Sequence, residues 1–115
     1  MCCIVSRMAE YVIDAQMKRG LLEACVLVAL ESGESYGYKI IQDIRPVIEI
    51  TESTLYPILK RLEAGDMLTV KSVEHSGRLR KYYYITNAGL GRLKDLRSGL
   101  VEMNKIQNYI IGGAK

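Results

Sequence analysis

Residues 53–63 read STLYPILKRLE. Leu55, Ile58, Leu59 and Leu62 recur at the spacing of one helical face. Placing that face on a core sends Ser53, Pro57 and Lys60 to the opposite side, with Tyr56 and Arg61 flanking them. The helix therefore hides an ordinary apolar stripe and shows a hydroxyl, a phenol and two cations. Pro57 constrains where it starts, because proline costs little only in a first turn whose N–H groups have no partners anyway. Either the helix begins at Ser53, or it begins at Thr51 and kinks slightly. Gly65 is the expected stop.

Upstream, residues 14–32 predict a first helix with Asp14 as cap. From Leu21 to Leu30 it is apolar nearly all round, which asks for burial on several sides. Gly33 ends it. Ser35 is the expected N-cap of a second helix whose face is Ile40, Ile41 and Ile44, and Pro46 stops it. Downstream the period changes to two. Leu68, Val70 and Ser72 alternate with Thr69, Lys71 and Val73, and the run Tyr82–Ile85 favours strand. HSGRLR, residues 75–80, reads as the tip between two strands. Thr86 then caps a long helix. Its Leu93, Leu96, Leu100 and Met103 form a narrow seam that Ile106 and Ile110 extend.

This order predicts a mainly α protein with a small β-ribbon: a winged helix-turn-helix over residues 14–86, followed by a long C-terminal helix over 87–111. Residues 1–13 read as an N-terminal extension. In such folds the later helix of the motif, here the one opening this section, enters the major groove.

Composition sets the limits. A chain of 115 residues, 49 % apolar and 25 % charged, suits one packed domain. A net charge of +3 is only mildly basic, so placement must decide. Arg78, Arg80 and Lys81 cluster at the ribbon tip, and between Ser76 and Lys105 the only acids are Asp95 and Glu102. Three cations there and two on the helix are the footprint of a wing laid along phosphates. Ser53 and Thr54 can hold a phosphate at the helix N-terminus, although capping alone would explain both. Lys60 and Arg61 can reach the backbone or a base edge. Tyr36, beside the cap, can reach a phosphate or simply pack. The single histidine, His75, reads as an exposed residue at a turn, with no Ser-His-Asp or metal constellation around it, and Cys2, Cys3 and Cys25 show no metal spacing. No catalytic residue, metal or cofactor is expected. Nor is a membrane partner, since no apolar run approaches ~18 residues. Reduced thiols point to the cytoplasm.

Three segments carry a resemblance. GLLEACVLVALESGESYGYKIIQDI (20–44), STLYPILKRLEAGDMLT (53–69) and GRLRKYYYITNAG (77–89) together resemble the PadR family of bacterial and archaeal transcriptional regulators, in the same order over residues 14–110. The short single C-terminal helix resembles the small members of that family. The resemblance implies a homodimer that binds double-stranded DNA at a two-fold operator and usually represses. It implies DNA contacts from Tyr36, Ser53, Thr54, Tyr56, Arg61, Arg78, Arg80 and Lys81, with Lys18 adding a phosphate contact. It also implies that the terminal helix meets the partner subunit, which fits Leu93, Leu96, Leu100, Met103, Ile106 and Ile110. Any small-molecule effector would enter at that dimer interface. Two departures stand out. Leu79 replaces the proline of many family wings, which predicts a more mobile wing. The chain also has no tryptophan, the residue with which some small members hold flat aromatic ligands. The competing class is a winged-helix protein-interaction module without DNA binding. Such modules tend to lose wing cations, and this chain keeps three.

Overall fold

The computed structural model describes residues 15–113. Asp14, the N-terminal extension, Cys2 and Cys3 lie outside them. The elements follow the expected order: α1 (Ala15–Glu31), α2 (Gly37–Ile44), α3 (Glu52–Ala64), β1 (Leu68–His75), β2 (Arg78–Ile85) and α4 (Asn87–Gly112). Helix α1 is the central post and packs against α2, α3, α4 and β2, which accounts for its all-round apolarity. Leu22, Val26, Leu27 and Leu30 meet Ile40, Ile41 and Ile44 of α2 and Leu55, Ile58, Leu59 and Leu62 of α3 in one core. Ile50, Leu68, Tyr83 and Leu93 close it. The α3 stripe read from sequence is thus the buried one.

One local expectation gives way, and two helix ends are settled. Ser35 does not cap α2. Tyr36 is the N-cap residue and makes no side-chain cap bond. Ser35 instead pairs its backbone with β2, donating to the Tyr83 carbonyl at 3.1 Å and accepting from the Tyr83 N–H at 2.8 Å. That pairing draws Ser35 inside, where its hydroxyl has no hydrogen-bond partner. Of the two starts left open by the sequence, α3 takes the earlier: Thr51 is its N-cap, Glu52 its first residue, and the Thr51 carbonyl accepts from Leu55 N–H at 2.9 Å. Pro57 therefore lies in the second turn and deprives the Ser53 carbonyl of a helical donor. Ser53 and Pro57 are both exposed, so water can take that carbonyl. The Thr51 hydroxyl bonds those of Ser53 and Thr54, at 3.1 and 3.2 Å, instead of a backbone N–H. Finally, Gly65 is the C-cap of α3, but the left-handed residue beyond it is Asp66, at φ 62°. Met67 N–H reaches the Leu62 carbonyl and Asp66 N–H the Glu63 carbonyl, the paired bonds of a Schellman ending.

The ribbon tip is tighter than HSGRLR suggests. His75 pairs with Arg78, and only Ser76 and Gly77 turn, at φ 54° and 80°. Positive φ at both centres matches the twist of flanking strands, as in type I′ hairpins. Leu79 continues the ladder opposite Glu74.

Helix α4 is anchored at its start. Thr86 Oγ1 accepts from Gly89 N–H at 3.0 Å and donates to the Asp66 carbonyl at 2.7 Å. Gly89 lies so close to the Met67 carbonyl that no side chain fits there. Arg97 forks onto Glu31 of α1 with two bonds of 2.8 Å. Beyond these ties the helix leaves the core: Leu93 is 1 % exposed, Leu100 40 % and Ile110 71 %. Among the described residues no helix is long and apolar enough to cross a membrane.

Candidate nucleic-acid interface

The exposed side of α3 has a crest and two flanks. Ser53, Pro57 and Lys60 form the crest by helical spacing, and all three are exposed. Thr54 and Arg61 lie on one flank. There, Lys18 and Arg19 of α1 join Ser53, Thr54, Pro57 and Arg61 around a depression of about 530 Å³ that Glu49 also lines. Tyr56 and Glu63 lie on the other flank, toward the ribbon. Tyr56 joins Tyr36, Tyr38, Arg80 and Lys81 around a cleft of about 550 Å³. Among the described residues, none of Lys18, Arg19, Lys60, Arg61, Arg78, Arg80 or Lys81 makes a salt bridge.

The register sorts the ribbon's charges. Strand side chains alternate between faces. Leu68, Val70, Tyr83 and Ile85 share the face that packs on the core. Lys81, two residues from Tyr83, emerges on that same face, nearer the tip. Lys71, Arg78 and Arg80 share the outer face with Tyr82. The sequence reading missed Lys71 and Arg19. The alternation of β1 was the signal for Lys71, which pairs with Tyr82 and neighbours Arg80 diagonally. Arg78, beside the turn, belongs to neither depression.

Aromatic packing holds the wing-side cleft in shape. The Arg80 guanidinium lies 4.2 Å over the Tyr36 ring. Tyr82 meets Tyr36 edge-on, with ring centroids 5.6 Å apart. A cation over an exposed ring contributes about 0.5–1 kcal/mol and leaves the guanidinium edge free to donate. Gly37 explains why the tyrosines flank a glycine, since a Cβ there would stand 2.5 Å from the Tyr56 hydroxyl. Tyr83, behind the cleft, is pushed above its ordinary pKa by burial, and nearby Tyr56 and Glu63 add to the rise.

The residues expected at a dimer contact divide. Leu93 is packed in the core of its own chain. Leu96 and Leu100 line an apolar groove of about 530 Å³ with Leu21, Cys25 and Val28 of α1 and Val47 and Ile48 beyond α2. Burial pushes the Cys25 thiol up in pKa, so it stays protonated there. Met103 lines a neighbouring groove with Leu21, Ala24 and Leu100. Ile106 and Ile110 stand exposed farther along. Among the described residues no group of His, Cys, Asp and Glu is arranged to hold a metal.

A helix-turn-helix backed by a cation-bearing ribbon and followed by a long terminal helix is the architecture of a winged-helix transcription factor. The chain belongs to the Transcriptional regulator PadR-like family, whose description matches residues 26–95. It is 37 % identical to a solved PadR-like transcription factor from Bacteroides fragilis, over 84 % of this chain and 95 % of that one, at a TM-score of 0.73. A PadR family transcriptional regulator from Eggerthella lenta superposes at a TM-score of 0.78, with 28 % identity, covering 94 % of this chain and 92 % of that one. A transcriptional regulator of Mycobacterium tuberculosis is 29 % identical over 99 residues, 85 % of this chain and 90 % of that protein. The protein is a transcriptional regulator of this family.

Proposed function

We propose that the protein is a homodimeric repressor that places α3 of each subunit in the major groove of a two-fold DNA operator, with the wing along the flanking backbone. The observation that carries this reading is the set of cations on both flanks of α3, none in a salt bridge among the described residues: Lys18, Arg19 and Arg61 on one side, Arg80 and Lys81 on the other. Ser53, Thr54 and Tyr56 add hydroxyl donors for phosphates. Lys60 and Arg61 take the base edges, and Arg78 and Lys81 the backbone. Residues 14–86 form the DNA-binding unit and 87–111 the dimerisation helix. The apolar stripe of α4 beyond Leu93 supports the dimer, as does the groove beside α1, because the described residues leave both without a cover. An effector would enter between the subunits at that groove and change the spacing of the wings. A DNA partner places the protein in the cytoplasm.

The test is duplex binding by fluorescence anisotropy, using DNA selected from genomic fragments and random DNA side by side. With about four to six phosphates neutralised per dimer, log affinity falls against log salt with a slope of ~−4 to −5. Lys60→Ala and Arg61→Ala should lose ~1–3 kcal/mol more on the selected site than on random DNA. Salt-independent affinity, or no binding to any duplex, refutes the reading in favour of a protein-interaction module.

A further inference from the structure

We propose that Tyr36 is a positioning residue. Together with Tyr82 it seats the Arg80 guanidinium as one arm of a clamp that closes, with Lys81 and Tyr56, on a single backbone phosphate. The inference rests on the DNA-binding reading above and names how one part of that surface works.

Arginine on a two-stranded ribbon next to a turn has many rotamers, and a mobile cation gives up much of its interaction energy on being ordered. Arg80 is not in that state. Its guanidinium carbon lies over the Tyr36 ring, 4.2 Å from the centroid. Tyr82 props the same ring from its edge, at an interplanar angle of 67°. A guanidinium held over a ring keeps N–H donors available, and a fork of two such donors fits two oxygens of one phosphate. Arg80 makes no salt bridge among the described residues, so the fork is not already taken.

The other donors come from two elements. Tyr56 brings a phenol from α3, and Lys81 an ammonium from β2, to the cleft that Arg80 borders. Lys81 brings its main chain as well. Tyr83 exchanges both backbone bonds with Ser35, away from β1. By the period of the strand, the Lys81 N–H points out of the same edge. The cleft thus gathers a planar fork, a point charge, a hydroxyl and an amide, with no carboxylate among its lining residues. A site that offers two cations, a hydroxyl and an amide with no carboxylate suits a phosphate, whose oxygens only accept. Tyr36 touches the phosphate through Arg80, so a neutral residue controls a charge contact.

That last point makes the proposal measurable on the intact protein with a duplex, by titrating affinity against salt. Arg80→Ala should lower the salt slope by about 0.9 per half-site. Tyr36→Leu removes no charge, yet it should lower the slope in the same direction and weaken binding about two- to fivefold per half-site. Tyr36→Phe keeps the ring and should bind like wild type. In an Arg80→Ala background, Tyr36→Leu should have no further effect. The proposal is overturned if Tyr36→Leu keeps the wild-type slope, or if the two losses simply add. Thermal melting checks the fold of each variant. Should Tyr36→Leu melt early, Tyr82→Leu withdraws only the supporting ring and must lower the slope too; an unchanged slope there is equally fatal. A wild type that binds no duplex, or binds without salt dependence, brings down the DNA-binding reading itself. A wild type that binds while Tyr36→Leu matches it brings down only the clamp.

Discussion

Three glycines show how one missing Cβ can do different jobs. At Gly37 a methyl would collide with the Tyr56 hydroxyl, the far end of a side chain that can swing away. Gly37→Ala should therefore cost little stability while displacing a cleft donor, so melting barely shifts and duplex affinity falls. At Gly89 the obstacle is the Met67 main-chain carbonyl, which is fixed by the bond from Thr86 N–H. Gly89→Ala should destabilise by ~1–3 kcal/mol in denaturant unfolding. Gly91, one half-turn on, faces open space within α4. Gly91→Ala should stabilise by ~0.5–1 kcal/mol through helix propensity alone. The opposite signs of two neighbouring substitutions isolate packing from propensity.

Helix α4 is held to its domain by a cap and by two ion pairs to α1, Arg92–Glu23 at 3.6 Å and the forked Arg97–Glu31, and the cap and the fork have separate signatures. Thr86→Ala removes an acceptor from Gly89 N–H and a donor to Asp66, and should cost ~0.5–2 kcal/mol. The fork responds to pH. The hydrogen bond from Arg97 holds the Glu31 carboxyl below its ordinary value, and the charge of Arg97 adds to this. A carboxyl depressed in the folded state contributes stability above its unfolded pKa and loses it as pH falls through the folded one. Both partners are exposed, so the effect on global stability is small. NMR titration of the Glu31 carboxyl should give a midpoint below 4.5 in the wild type. That midpoint should return toward the ordinary range in Arg97→Ala.

The whole molecule is elongated because its last helix outruns its core. Twenty-six residues of α4 span about 39 Å, and from Leu100 onward every described position is exposed. Under the homodimer proposal, Leu100→Asp should convert a dimer into a monomer in sedimentation velocity and abolish operator binding. One recognition helix with two or three base contacts is too weak to select a site. A wild type that already sediments as a monomer at micromolar concentration would refute the dimer, and a palindromic operator would no longer be required.

Much of this was legible in the sequence. The faces of α2 and α3, the ribbon and the order of elements follow from apolar spacings of two to four residues and from Gly, Pro and Thr punctuation. Those signals are local, so the chain carries them before it folds. The identity of the surface cations was equally readable, because charge types need no partner to be seen. What only the tertiary structure decided depends on residues brought together from far apart. Ser35 left its cap position because β2 offered a backbone ladder. Arg80 settled on Tyr36 and not at the ribbon's tip. Arg97 found Glu31 across a separation of 66 residues. Leu93, read as part of a seam for a second subunit, was taken into the core of its own chain by α1. No periodicity announces such pairs. They exist only once α1 is in place as the common wall, because loop closure and packing, not local propensity, select which distant groups meet.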